Sequence, residues 1–162
     1  MSVSSIIESL EKLIKLHKSF NHLAIRKTAL LKANDTEAIT ALLIQEQKHI
    51  KAISQTDKER EVAVAEFLRA NGKAGRPASI HGVTELTGPA EMEKLNRLKA
   101  ELMEEVANLK ERNTLNQQLI YQSLQFINVS LDMFRPRNQN LNYGNSVKKS
   151  AKSGITMFDS KA

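Results

Sequence analysis

The chain has 162 residues, 24 Lys or Arg against 18 Asp or Glu, and no cysteine. That length predicts one domain with a tail and a core that needs no cross-links, and the lack of cysteine excludes disulfides and thiolate metal sites. The net charge of +6 is concentrated at one end, because six basic residues and one acidic residue fall between Arg135 and Ala162 and leave the preceding 134 residues at +1. A basic tail of this kind is expected to be a solvated, flexible end rather than a nucleic-acid site.

Apolar residues recur at spacings of 3 and 4 along the body, and no run alternates as a strand would. Val3, Ile6, Leu10, Leu13, His17, Phe20, Ala24 and Leu31 trace one face of a first helix, about residues 3–33. The opening "MSVSSIIESLEKL" lacks the basic and continuous apolar regions of a signal peptide, which points to a cytoplasmic protein. In "KANDTEAI" either Asn34 or Asp35 can cap the next helix; with Asn34 as the cap, Glu37 completes a capping box.

A second helix, about 36–71, carries Ile39, Leu42, Leu43, Ile50, Ile53, Val64, Phe67 and Leu68, and Gly72 is placed to end it. The Gly/Pro-rich connection that follows holds a short helical turn, about 79–87, capped by Ser79. Pro89 suits the first turn of a third long helix, about 89–134, and Pro136 ends it. Its stripe reads Leu95, Leu98, Leu102, Val106, Leu109, Asn113, Asn116, Ile120, Leu124, Ile127, Leu131 and Phe134, a spacing near that of a coiled-coil seam. Glu93, Arg97 and Glu101 follow one another as opposite charges at i, i+4. The expected fold is all-α: an antiparallel, up-down-up three-helix bundle over residues 1–135, followed by a disordered basic tail over 136–162. The third helix is the longest, so its last three or so turns should overhang the other two.

The overhanging stretch, "NTLNQQLIYQSLQFINVSLDMF" from Asn113 to Phe134, has no charged residue between Arg112 and Asp132. Ten of the nineteen residues from Asn113 to Leu131 are Asn, Gln, Ser or Thr, so stable membrane insertion is excluded despite the length. Beside the main stripe runs a second, Leu115, Leu119, Phe126, Val129 and Met133, and together they cover more than half the helix. A bundle helix needs about 100° of apolar surface, so the surplus needs another cover. The chain's own core, a second copy, or a foreign helix would each serve, and composition does not choose between them.

No catalytic constellation is visible. None of the four histidines forms an i, i+4 pair, "NGKAGRP" lacks the spacing of a phosphate loop, and no cofactor or enzyme activity is expected. His17, on an apolar stripe, reads as a packed histidine.

Three segments resemble a known family. "RKTALLKANDTEAITALLIQEQKHIKAISQTDKER", Arg26 to Arg60, is similar to the helical hairpin of FlgN-type flagellar export chaperones, with a short Asp-containing turn and then a Glu-Arg pair, Glu59-Arg60. "LKERNTLNQQLI", Leu109 to Ile120, resembles the family's core pattern on the last helix, and Tyr143-Gly144 in the tail with the short close "MFDSKA" resembles its ending. The resemblance implies a chaperone of flagellar type III export. Such a chaperone binds the C-terminal helices of hook-filament junction proteins, keeps them unpolymerised and delivers them to the export gate. It maps client binding onto Leu115, Leu119, Ile120, Leu124, Phe126, Ile127, Leu131 and Phe134, and gate docking onto Tyr143. It maps nothing onto "GKAGRPASIHG". The competing expectations are a self-associating coiled-coil adaptor, homodimeric through the same face, and, more weakly, a nucleic-acid binder acting through the tail.

Overall fold

The computed structural model describes residues 3–135. They form four helices: α1 (Val3–Ala33), α2 (Thr36–Ala70), the single-turn α3 (Ile80–Thr84) and α4 (Pro89–Phe134). No strand occurs among the described residues, so the class is all-α.

Local chemistry sets each boundary. Asn34 takes the left-handed conformation at φ 54°, and the Asn34 and Asp35 N–H groups bond back to the carbonyls of Leu31 and Leu30. This closes α1 with a Schellman turn. Asp35, not Asn34, then caps α2: its side chain accepts the Ala38 N–H at 3.0 Å. The capping box from Asn34 to Glu37 does not form, because Asn34 is already used as the end of α1. Gly72 closes α2 by the same device. At φ 73° it lets its own N–H reach the Arg69 carbonyl and the Lys73 N–H reach that of Leu68, at 3.1 and 2.8 Å. Ser79 caps α3 through the Gly82 N–H. Pro89 opens α4, where its missing N–H costs nothing, and Arg135 leaves the helix at ψ 125°, as a residue before proline must.

Cross-helix pairs fix the directions. From Lys12–Glu59 to Lys27–Glu46 the α2 partner falls as the α1 residue rises, so these two helices are antiparallel. From Glu11–Lys94 through Lys18–Glu101 to Thr28–Asn116 both numbers rise together, so α1 and α4 are parallel. Glu101 therefore pairs with Lys18 at 2.6 Å, across the interface, and not with Arg97 on its own helix.

The core sits at one end. Ile6 and Leu10 of α1, Val64 and Leu68 of α2, Val83 of α3 and Leu95 of α4 are all at most 1% exposed and belong to one cluster. Each contributes about 1.5–3 kcal/mol by leaving water. Away from that end the arrangement opens. α1 packs along both α2 and α4, yet no Cα of α2 lies within 8 Å of one in α4. Packed helices lie 8–10 Å apart axis to axis, which brings many Cα pairs closer than that. The three long helices run up, down and up as an open arrangement, with α1 central and α2 and α4 on its flanks.

Candidate partner-binding surface

Two features expose apolar surface. The first is the free end of α4. The offset between facing residues of α1 and α4 is 83 at Lys18–Glu101 and 88 at Thr28–Asn116. Carried on to Ala33, where α1 stops, it reaches about Tyr121. The remaining residues of α4, about thirteen, project some 20 Å beyond α1 and the start of α2. Asn116 is the last buried residue on this helix.

The side chains assigned to the client surface from sequence divide at this point. Leu115 and Leu119 are half-buried; Leu115 lines the junction with α1 beside Asn21 and Ile25. Ile120 stands at the edge of exposure, at 37%. Leu124, Ile127 and Leu131 are each exposed by 51–54%, Phe126 by 74% and Phe134 by 85%. Tyr121, Val129 and Met133 are exposed alongside them, so the free end is apolar on nearly every side. Tyr143 lies outside the described residues.

The second feature is a cleft between α2 and α4 with α1 as its floor. It has a volume of about 440 Å³, with Ile50 and Ile53 on the α2 wall, Leu102, Val106 and Leu109 on the α4 wall, and Leu13, His17 and Phe20 below. Leu13 and Phe20 are buried, but Ile50 and Val106 remain 47% and 45% exposed. The α4 wall is the upper part of the same 3-4 stripe that continues as Ile120, Leu124, Ile127, Leu131 and Phe134. Between the cleft and the free end that stripe carries Asn113 and the buried Asn116, so a polar step on α1 separates the two apolar surfaces. On sequence alone Val106 and Ile50 read as core. The signal against that reading was Ser54 and Asp57, polar residues on the cleft side of α2; Asp57 is held there by Arg60 at 2.7 Å.

Polar contacts accompany the helix packing. Glu46, 7% exposed, accepts from Lys27 at 3.0 Å, and the His17 ring is 2.9 Å from the Leu13 carbonyl. The hydrogen bond from Lys18 to Glu101, and then the charge of that carboxylate, holds the Lys18 ammonium above its ordinary pKa. Among the described residues no three His, Asp or Glu side chains gather as metal ligands would, and no helix is long and apolar enough to cross a membrane.

The family model described as FlgN protein matches residues 1–151. The chain belongs to the FlgN family of flagellar export chaperones. It is also 37% identical over 166 residues to the uncharacterized protein YvyG of Bacillus subtilis (strain 168), with the whole of both chains covered. No solved structure matches the chain. FlgN membership fits the helical fold and connects the chain to flagellum biogenesis.

Proposed function

We propose that this FlgN-family chain is a cytoplasmic chaperone that captures the C-terminal helical segments of flagellar hook-filament junction proteins, prevents their premature polymerisation and delivers them to the export gate. The observation that carries this reading is the free end of α4: Leu124, Phe126, Ile127, Leu131 and Phe134 stand in solvent on a helix that has no charge between Arg112 and Asp132. An exposed patch of this kind marks an interaction site. Ile120, with Leu115 and Leu119 at the base, extends it toward the body.

The partner that fits is an amphipathic helix laid along the stripe. A subunit that must not polymerise early carries such a helix, and covering it is sufficient protection. Five large side chains contribute about 1.5–3 kcal/mol each on this side alone, against an association cost of about 4–15 kcal/mol. With the client's own stripe added, a micromolar or tighter complex follows, and release at the gate stays feasible. The uncharged Gln and Asn flanks do not force the client to neutralise a buried charge. Capture needs no cofactor and makes no covalent bond.

In this reading residues 1–135 are the capture body and residues 136–162 the delivery arm, with Tyr143 as its gate contact. The test is substitution at the free end. Leu124→Asp and Phe126→Asp should abolish binding of a junction-protein C-terminal helix while helicity by circular dichroism is unchanged. Loss of helicity in both variants would mean that these side chains serve the chain's own core, and the proposal would fail.

A further inference from the structure

We infer that the client surface continues past the base of the free end into a groove between α1 and α4, with Ile25 of α1 as a contact residue; this rests on the client reading given above. The groove lies on the side of α4 away from the α2–α4 cleft. It has a volume of about 1040 Å³, with Lys18, His22 and Ile25 on the α1 wall and Asn108, Arg112 and Leu115 on the α4 wall. Ile25 is 51% exposed there, although α4 runs beside it. Two polar clamps fix the spacing of the helices. On one side of Ile25, Asn21 donates to the Glu105 carbonyl and carboxylate at 3.0 and 2.7 Å. On the other, Thr28 donates to Asn116 at 2.6 Å. Each clamp is about one turn of α1 from Ile25, so the recess is pre-formed.

The α4 wall of the groove leads onto the free end. From Leu115 the same face of α4 carries Leu119, Gln122, Phe126, Val129 and Met133, at alternating spacings of 4 and 3. This is the period of a coiled-coil seam. It contains no charged residue, and Phe126, Val129 and Met133 on it are exposed. No buried polar residue interrupts it, whereas the flank that leads to the α2–α4 cleft is broken at Asn113 and Asn116.

A seam of this period takes a helix with its own 3-4 stripe rather than an extended segment. From Asn108 to Met133 the path is about 38 Å long, room for a partner helix of about 25 residues, against about 20 Å on the free end alone. Lys110, Glu111 and Arg112 stand at its body end, so the apolar path is flanked there by charge of both signs. An apolar seam with charged lips fits the amphipathic helix of a client. Ile120, Leu124 and Leu131, on the opposite flank of the free end, stay within the client surface assigned above.

The test uses the full chain and synthetic peptides of the C-terminal helices of hook-filament junction proteins. Ile25→Asp should weaken peptide binding about tenfold or more, with helicity unchanged. Ile44→Asp on α2, at a side chain 59% exposed and outside the groove, and Ile50→Asp in the cleft should change it by no more than about twofold. The lack of cysteine in the chain gives a second measurement, free of any introduced charge. Excess peptide should slow maleimide alkylation of the Ile25→Cys variant about tenfold or more, and should leave that of Ile44→Cys unchanged. Full affinity in Ile25→Asp, or no protection in Ile25→Cys, overturns the inference; if Leu124→Asp and Phe126→Asp still abolish binding, the client reading stands without the groove. Loss of binding on Ile50→Asp would route the client through the cleft and overturns it as well. Protection of Ile25→Cys that rises with protein concentration in the absence of peptide would assign the groove to a second copy. An unmodified chain that binds none of the peptides removes the client reading and this extension together.

Discussion

Thr28 donates a 2.6 Å hydrogen bond to the Asn116 side-chain carbonyl, and Asn116 returns one at 3.0 Å to the Ala24 carbonyl. Both side chains are buried, and beyond them α4 has no buried residue. The pair is satisfied only at one axial position of α4 against α1, so it sets how far the free end projects. Thr28→Val strands the Asn116 carbonyl and should cost about 1–3 kcal/mol, whereas Thr28→Val with Asn116→Leu should be nearer neutral, because both polar groups leave together. Urea denaturation of the three proteins measures this.

Truncations along the α4 stripe should separate by position. Leu95 is fully buried, and Leu95→Ala should destabilise by about 2–5 kcal/mol. Leu131 is half exposed on the free end, and Leu131→Ala should change stability by no more than about 0.5 kcal/mol while weakening client binding. Thermal unfolding with a binding measurement on each variant tests the contrast.

That contrast shows what the sequence carried. The 3-4 spacing from Leu95 to Phe134 does not change at Asn116, yet burial does. Spacing reports which side of a helix is apolar; cover depends on where α1 and α2 stop. The helix ends were written locally, in Asn34-Asp35, in Gly72, and in Pro89 with Pro136. Their lengths alone gave the projection of α4. The separation of α2 from α4 was not legible, because Ile50 and Val106 have the spacing of core residues and only Ser54 and Asp57 mark that wall as wet. The choice of Asp35 over Asn34 as cap was hidden for a similar reason: two adjacent residues both suit a cap, and the preceding helix uses one of them.

Lys27 and Glu46 form the most enclosed ion pair among the described residues, with side chains 15% and 10% exposed. Glu46→Ala leaves a lysine ammonium in a mostly apolar seam. A fully buried pair broken this way costs about 3–5 kcal/mol, and residual solvent access reduces the expectation here to about 2 kcal/mol. Lys27→Met with Glu46→Leu should recover most of it. Chemical denaturation of the single and double variants provides the comparison.

Gly72 tests backbone against space. Nothing lies within 4 Å of a Cβ built there, yet its φ is +73°. Gly72→Ala should therefore destabilise by about 1 kcal/mol through strain alone. Gly82→Ala meets Ser79 and Leu68 at ordinary van der Waals distance, 3.5 and 3.6 Å, and should be tolerated. Differential thermal shifts of the two variants decide it.

Removal of residues 136–162 should leave folding and client capture nearly unchanged and impair delivery, seen as retained binding in vitro with reduced export of junction proteins from cells. Loss of capture on this deletion would contradict the division between body and arm.

The most direct measurement is calorimetric titration of the full chain with peptides from the C-terminal helices of hook-filament junction proteins, at two salt concentrations and several temperatures. An apolar client surface predicts binding with a negative heat-capacity change, little dependence on salt, and loss on Leu124→Asp. No heat of binding, or binding that weakens steeply with salt and survives Leu124→Asp, would contradict a client site on α4.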